Sequence, residues 1–150
     1  MSASRIGPVL DGSIAFGASW SATVAAGDNM QGLVVGDLRI EALEVPAPAA
    51  LRLVWKGKSN HRHPHEALAP YFREVLATAG DRKLAIELHF EKLEHFNSST
   101  ITSIIQLIQD SRARAIKLVL VYDQALKWQK LSFDALRVFA KDELLELRSA

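Results

Sequence analysis

The sequence predicts one α/β domain in which helices cover a mixed β-sheet, and three observations carry that reading. Two stretches alternate apolar and polar residues with the period of strands. A later stretch, Ile116 to Tyr122, is a nearly continuous apolar, β-branched run of the kind that fills interior strands. Between them lie segments whose apolar residues recur every three or four positions, as on one face of a helix. Strands and helices in that order imply a layered sheet rather than a bundle or a sandwich.

Residues 1–36 are rich in Gly, Ala and Ser. Their short apolar stretches, Ile14 to Phe16 and Leu33 to Val35, are separated by Gly27, Asp28 and Asn29. They read as an N-terminal extension, able to form an edge β-hairpin but offering little burial to offset chain entropy. The main domain is expected over 37–150. Leu38 to Leu43 alternates, Pro46 and Pro48 interrupt, and Leu51 to Trp55 resumes the alternation, which predicts a hairpin. After Gly57 comes a polar loop from Lys58 to His65. Leu68, Tyr71, Phe72, Val75, Leu76 and Ala79 then keep helical spacing until Gly80, taken as the stop signal.

Lys83 to Phe90 reads as a central strand, and the helix after Phe96 carries Ile101, Ile104, Ile105 and Ile108 on its expected inner face. That helix runs out at Ser111 to Arg114, where cations suit the negative end of the helix dipole. Ile116 to Tyr122 predicts an interior strand covered on both faces. A short helix over 133–140 and a last strand over 144–147 complete the chain.

With 49% hydrophobic residues in 150, the chain can bury one core without staples. Eighteen basic against 17 acidic residues leave a formal charge of +1, which argues against nucleic-acid binding and against a polybasic membrane surface. The absence of cysteine excludes disulfides and thiolate chemistry. The first ten residues carry no signal-peptide core, and no apolar run reaches membrane-spanning length. The expectation is a soluble cytoplasmic protein.

The informative segment is Phe96-Asn97-Ser98-Ser99-Thr100, where strand gives way to helix. Its hydroxyls fall where the first N–H groups of the helix lack partners and the dipole is positive. Helix capping accounts for Asn and Ser at such a corner. A phosphate would also be stabilised there. Ser99, Thr102, Ser103, Gln106 and Gln109 are expected on the outer face, neutral before Asp110, where exposed helices commonly carry Glu and Lys. Such a strip suits docking as well as it suits plain surface polarity.

Strand, corner and Ile-rich helix together resemble the STAS domains of anti-sigma-factor antagonists, in which an Asp-Ser-Ser-Gly corner carries a regulatory phosphoserine. A nearer resemblance is to the STAS-like SiaC regulatory phosphoproteins, with a Phe-Asn-Thr/Ser-Ser corner and an earlier Gly-x-Ser followed by an aromatic-bearing helix. The counterparts here are Gly57-Lys58-Ser59 and Tyr71-Phe72, and the likeness spans roughly residues 38–148. Asn97 stands where the anti-sigma antagonists have Asp, and Thr100 where they have Gly. The acidic stretch of many SiaC-like chains is weak, since Gln124, Ala125, Leu126 and Lys127 follow Asp123.

The resemblance implies a non-enzymatic partner switch with no cofactor. The unmodified form binds a target, of anti-sigma-factor or diguanylate-cyclase type. A serine/threonine kinase modifies the corner, and a PP2C-type phosphatase restores it. Ser98 matches the modified residue, with Ser99 and Thr100 as alternative acceptors. Asn97, Ser99, Thr102, Ser103 and Gln106 would form the partner-binding face. The alternative is a constitutive interaction or assembly module without a switch.

Other chemistry is weaker. His61, His63 and His65 alternate along the polar loop and are weak metal candidates, with no well-placed third ligand type beside them. His89 reads as a hydrogen-bonded histidine at a sheet face and His95 as a lid over the corner. A serine hydrolase lacks its Gly-x-Ser-x-Gly turn, and neither Gly-rich phosphate loop is present. Trp20, Trp55 and Trp128 read as core or interface anchors.

Overall fold

The computed structural model describes residues 30–150. Ile14 to Phe16 and Trp20 lie outside the described residues. The elements run β1 (Leu33–Val35), β2 (Leu38–Pro46), β3 (Ala49–Ser59), α1 (His65–Arg82), β4 (Ala85–His89), β5 (Leu93–Phe96), α2 (Ser98–Ala113), β6 (Leu118–Tyr122), α3 (Lys127–Leu136), a 3-10 turn (Arg137–Phe139) and β7 (Leu145–Ser149). Among the described residues the sheet has seven strands in the order β1-β2-β3-β4-β6-β7, with β5 attached to the far end of β3. β1, β2 and β3 form an antiparallel meander. β3, β4, β6 and β7 are parallel, each step crossing through a helix, as parallel neighbours require.

The predicted hairpin is present in register, Ile40 opposite Trp55 and Ala42 opposite Leu53. β1 adds to its edge through Gly36, at φ +57°, so the sheet begins ahead of Asp37. Period-two alternation sends Leu38, Ile40, Leu51, Leu53, Trp55, Ile86, Leu88, Leu118, Leu120, Tyr122 and Leu145 to one face. There they merge with the buried residues of α1, α2 and α3 into one core.

The opposite face carries Arg52, Glu87, His89, Glu146 and Arg148. Val119 and Val121 are buried there too, although the central core does not include them. In register they lie between Glu87 and His89 of β4 and Glu146 and Arg148 of β7. β6 is therefore interior, as expected, but among the described residues its second face is shielded by the stems of long polar side chains and not by a helix.

α1 does not stop at Gly80. It continues to Arg82 and ends on Lys83 in the left-handed conformation (φ +58°), whose N–H returns to the Ala79 carbonyl. An exposed glycine one turn from a helix end is tolerated there at modest entropic cost. α3 begins at Lys127, six residues ahead of the predicted start, because Trp128 and Gln129 already face inward. No helix among the described residues is long and apolar enough to cross a membrane.

Candidate functional site

The corner is assembled from three segments, and a glycine makes their meeting possible. At Gly57 the backbone of β3 adopts φ +83°, and any Cβ there would fall 2.0 Å from the Asp37 carbonyl oxygen. The register of β3 shifts at this point. Its body pairs with β4 over Ala50–Val54, while Gly57–Ser59 pairs with β5. β5, read from sequence as part of a connection, is thus a short strand that delivers Phe96 opposite Ser59. Its four residues offer apolar side chains only at the ends, too little pattern to distinguish it from a loop.

Asn97 caps α2 and ties the corner together. Its Oδ1 accepts from the Thr100 N–H at 2.9 Å and from the Thr100 hydroxyl at 2.8 Å. Its Nδ2 donates to the His61 carbonyl at 2.9 Å, and its backbone N–H donates to the Ser59 carbonyl at 3.0 Å. Thr100 is fully buried, with its Oγ1 2.7 Å from Ser59 Oγ. Each hydroxyl has one proton, so Thr100 donates to Asn97 and Ser59 donates to Thr100.

Ser98, by contrast, is exposed at the first helical position, and Ser99 is half-buried. Their N–H groups belong to the first turn, which has no intrahelical acceptors. No acidic side chain occupies that turn. The Thr100 hydroxyl, expected as an alternative acceptor, is enclosed and fully engaged. A kinase reaches it only by opening the cap.

The outer strip also needs correction. Ser103 is buried, 7% exposed, and its hydroxyl has no hydrogen-bond partner among the described residues, so it does not belong to a contact face. Ile101 and Ile105 are only half-buried. The inner arc is Thr100, Ser103, Ile104, Leu107, Ile108 and Ser111. The bond to Ser59 anchors Thr100 inward and turns the helix relative to the arc that its isoleucines alone predict. Thr102 and Gln106 are exposed as expected. Thr102 bonds back to the Ser98 carbonyl at 3.1 Å, and Gln106 holds Asp110 at 3.0 Å.

The histidine loop adjoins the corner through Asn97, but its imidazoles do not converge. The His63 N–H donates to His61 Nδ1 at 3.1 Å, and the rings of His63 and His65 stand edge to face, 6.2 Å apart. Among the described residues no group of three or more His, Cys, Asp or Glu could hold a metal ion. His95 is exposed and lies 6.4 Å from the ring of Trp128, which packs edge to face on Phe96 at 5.1 Å. Trp55 is wholly inside the core.

Sequence reasoning did not single out Gln129. Buried on α3, it donates to the Phe90 carbonyl at 2.6 Å and the Leu93 carbonyl at 3.2 Å, and it accepts from the Asp123 N–H at 2.8 Å. It thereby fixes the turn that leads into β5. A Gln among Lys and Trp in a connection gives no signal of such a role.

The chain matches no protein-family model and no curated protein. A similar solved structure is that of an uncharacterized protein of the DUF3478 family with a SpoIIAA-like fold, from Shewanella loihica PV-4. Its TM-score is 0.50 at 10% identity, with 88% of this chain and 91% of that chain covered. The fold is SpoIIAA-like. That likeness supports the STAS-like architecture expected from the sequence, and at this identity it concerns the fold alone. Within the SpoIIAA-like frame, the corner of Asn97, Ser98 and Thr100 joins the short β5 to α2.

Proposed function

We propose that this chain is a non-enzymatic regulatory phosphoprotein of a bacterial partner-switching system, nearest in kind to the SiaC branch of STAS-like proteins. Unmodified, it binds a target protein of anti-sigma-factor or diguanylate-cyclase type. A serine/threonine kinase phosphorylates Ser98 and releases the target, and a PP2C-type phosphatase reverses the step.

The observation that carries this reading is the division of labour at the corner. Asn97 and Thr100 are consumed by the cap, while Ser98 stands exposed beside them at the positive end of α2. A phosphoserine there adds roughly −1.5 to −2 charge near neutral pH. The existing cap would remain intact, and the new charge would lie on the rim of the strip formed by Ser99, Thr102 and Gln106. A partner packed on that strip must then desolvate the dianion or oppose it with cations.

Peptide mass spectrometry of the protein isolated from its own cells tests the proposal. Phosphate on Ser98 is expected. Its absence across several growth conditions would leave a constitutive interaction module as the better account. Recovery of the target by wild type and Ser98→Ala, with loss from Ser98→Asp, would establish the direction of the switch.

A further inference from the structure

α3 and the 3-10 turn after it expose more apolar surface than their own packing uses. Leu131 and Val138 are each 67% exposed, and the exposed Ala135 lies between them. Positions 131, 135 and 138 follow steps of four and three, the spacing with which one helix lays a seam against another. The inward side of the same helix is already satisfied by Gln129, Phe133 and Leu136. This stripe is therefore a second apolar line, additional to the one that holds α3 on the sheet.

Charge selects the occupant. Over α3 and the 3-10 turn the ionic side chains are Lys127, Lys130, Arg137 and Asp134, three cations against one carboxylate. Asp134 is already held by Lys130 at 2.6 Å and by Arg137 at 3.5 Å. A second copy docked stripe to stripe would set these cations against their own counterparts, and like charges flanking a seam oppose pairing. A helix with an apolar seam and Glu or Asp on its flanks meets the stripe with complementary charge.

We infer that the outer face of α3 is a docking site for an amphipathic, acidic-flanked helix of a partner protein, distinct from the strip beside Ser98. Leu131 and Val138 supply the apolar contact, and Lys127, Lys130 and Arg137 select the partner by charge.

The test uses the full chain and two labelled synthetic peptides about three heptads long, long enough to be helical alone. They share a leucine seam and differ only in carrying Glu or Lys on the flanks. Fluorescence anisotropy should show binding of the Glu peptide, weakening as salt is raised, and no binding of the Lys peptide. L131D/V138D should weaken the Glu peptide by about tenfold or more, the size of loss expected when central contacts of an interface are removed. Both substitutions lie at exposed positions, and an unchanged melting temperature would confirm that the variant is folded. Equal affinity for the two peptides, or a double variant that binds like wild type, would overturn the inference. So would self-association of the chain that the double variant abolishes, which would assign the stripe to a second copy.

Discussion

Ser59 Oγ and Thr100 Oγ1 lie 2.7 Å apart in the interior, joining the end of β3 to the first turn of α2 across 41 positions of sequence. Two buried hydroxyls on an apolar background persist only when each finds a partner, because an unmet buried polar group costs about 1–3 kcal/mol. Here Asn97 completes the set. Thr100→Val keeps the shape but leaves the Ser59 hydroxyl without its acceptor, and it should lower stability by about 1–3 kcal/mol. Asn97→Ala removes the cap and should cost about 1–2 kcal/mol. Urea denaturation of the two single variants and the double variant should show less than additive losses, since both act on one network.

The two glycines at Gly57 and Gly80 should respond to alanine with opposite signs. At Gly57 the added methyl meets the Asp37 carbonyl at 2.0 Å in a left-handed backbone, so Gly57→Ala must push β2 away from β3. A loss above about 1 kcal/mol is expected, because strained backbone adds to the clash. Gly80 is helical, and its added methyl would meet only Ile116 Cδ1 at 3.8 Å, an ordinary contact. Gly80→Ala should stabilise by about 0.4–1 kcal/mol through the unfolded chain. Thermal melts of both variants against wild type check the pair.

Gln129 connects three carbonyl and amide groups that no other described side chain serves, so its loss should reach the corner. Gln129→Leu fits the space but takes its side-chain partner from the Leu93 carbonyl and the Asp123 N–H, and leaves the Phe90 carbonyl with the Leu93 N–H alone, at 2.9 Å. A destabilisation of about 2–4 kcal/mol is expected for such a buried set. Hydrogen exchange should show the amides of β5 losing protection before those of β4, because β5 depends on this side chain and on the bent end of β3.

These variants also mark where sequence reading reached and where it stopped. The strands of the meander, α1, β4, α2 and β6 were legible because burial imposes periods of two and 3.6 on apolar residues. What escaped was polar and internal. Ser59, Thr100, Ser103, Ser111 and Gln129 are buried, and no hydrophobic pattern announces a hydroxyl or an amide that faces inward to satisfy a carbonyl. The same blindness misplaced Ser103 on the outer face. Gly80 misled in the other direction, since glycine marks a stop only where the backbone needs the left-handed region, and that need fell on Lys83. The corner itself was legible as a cap with spare hydroxyls. Which hydroxyl is spare follows from Thr100 turning inward.

Acid should act through the polar face of the sheet, where Glu87 shares one carboxylate oxygen with Arg52 at 3.1 Å and His89 at 2.9 Å. Burial pushes this carboxyl up, but the hydrogen bonds and charges of His89 and Arg52 outweigh it and hold the group below its usual value of 4.5. A carboxylate with a depressed folded pKa stabilises the fold above its unfolded pKa, and that contribution disappears as pH falls through the folded value. Wild type should therefore lose stability on acidification below about 4.5, with the decline extending further down as Glu87 takes up its proton. Glu87→Gln keeps the shape and removes the titration. It should be less stable than wild type at pH 7, and the difference between the two should narrow toward low pH. Urea midpoints measured for both proteins across the acid range would show this convergence, and a constant difference would place the acid sensitivity elsewhere.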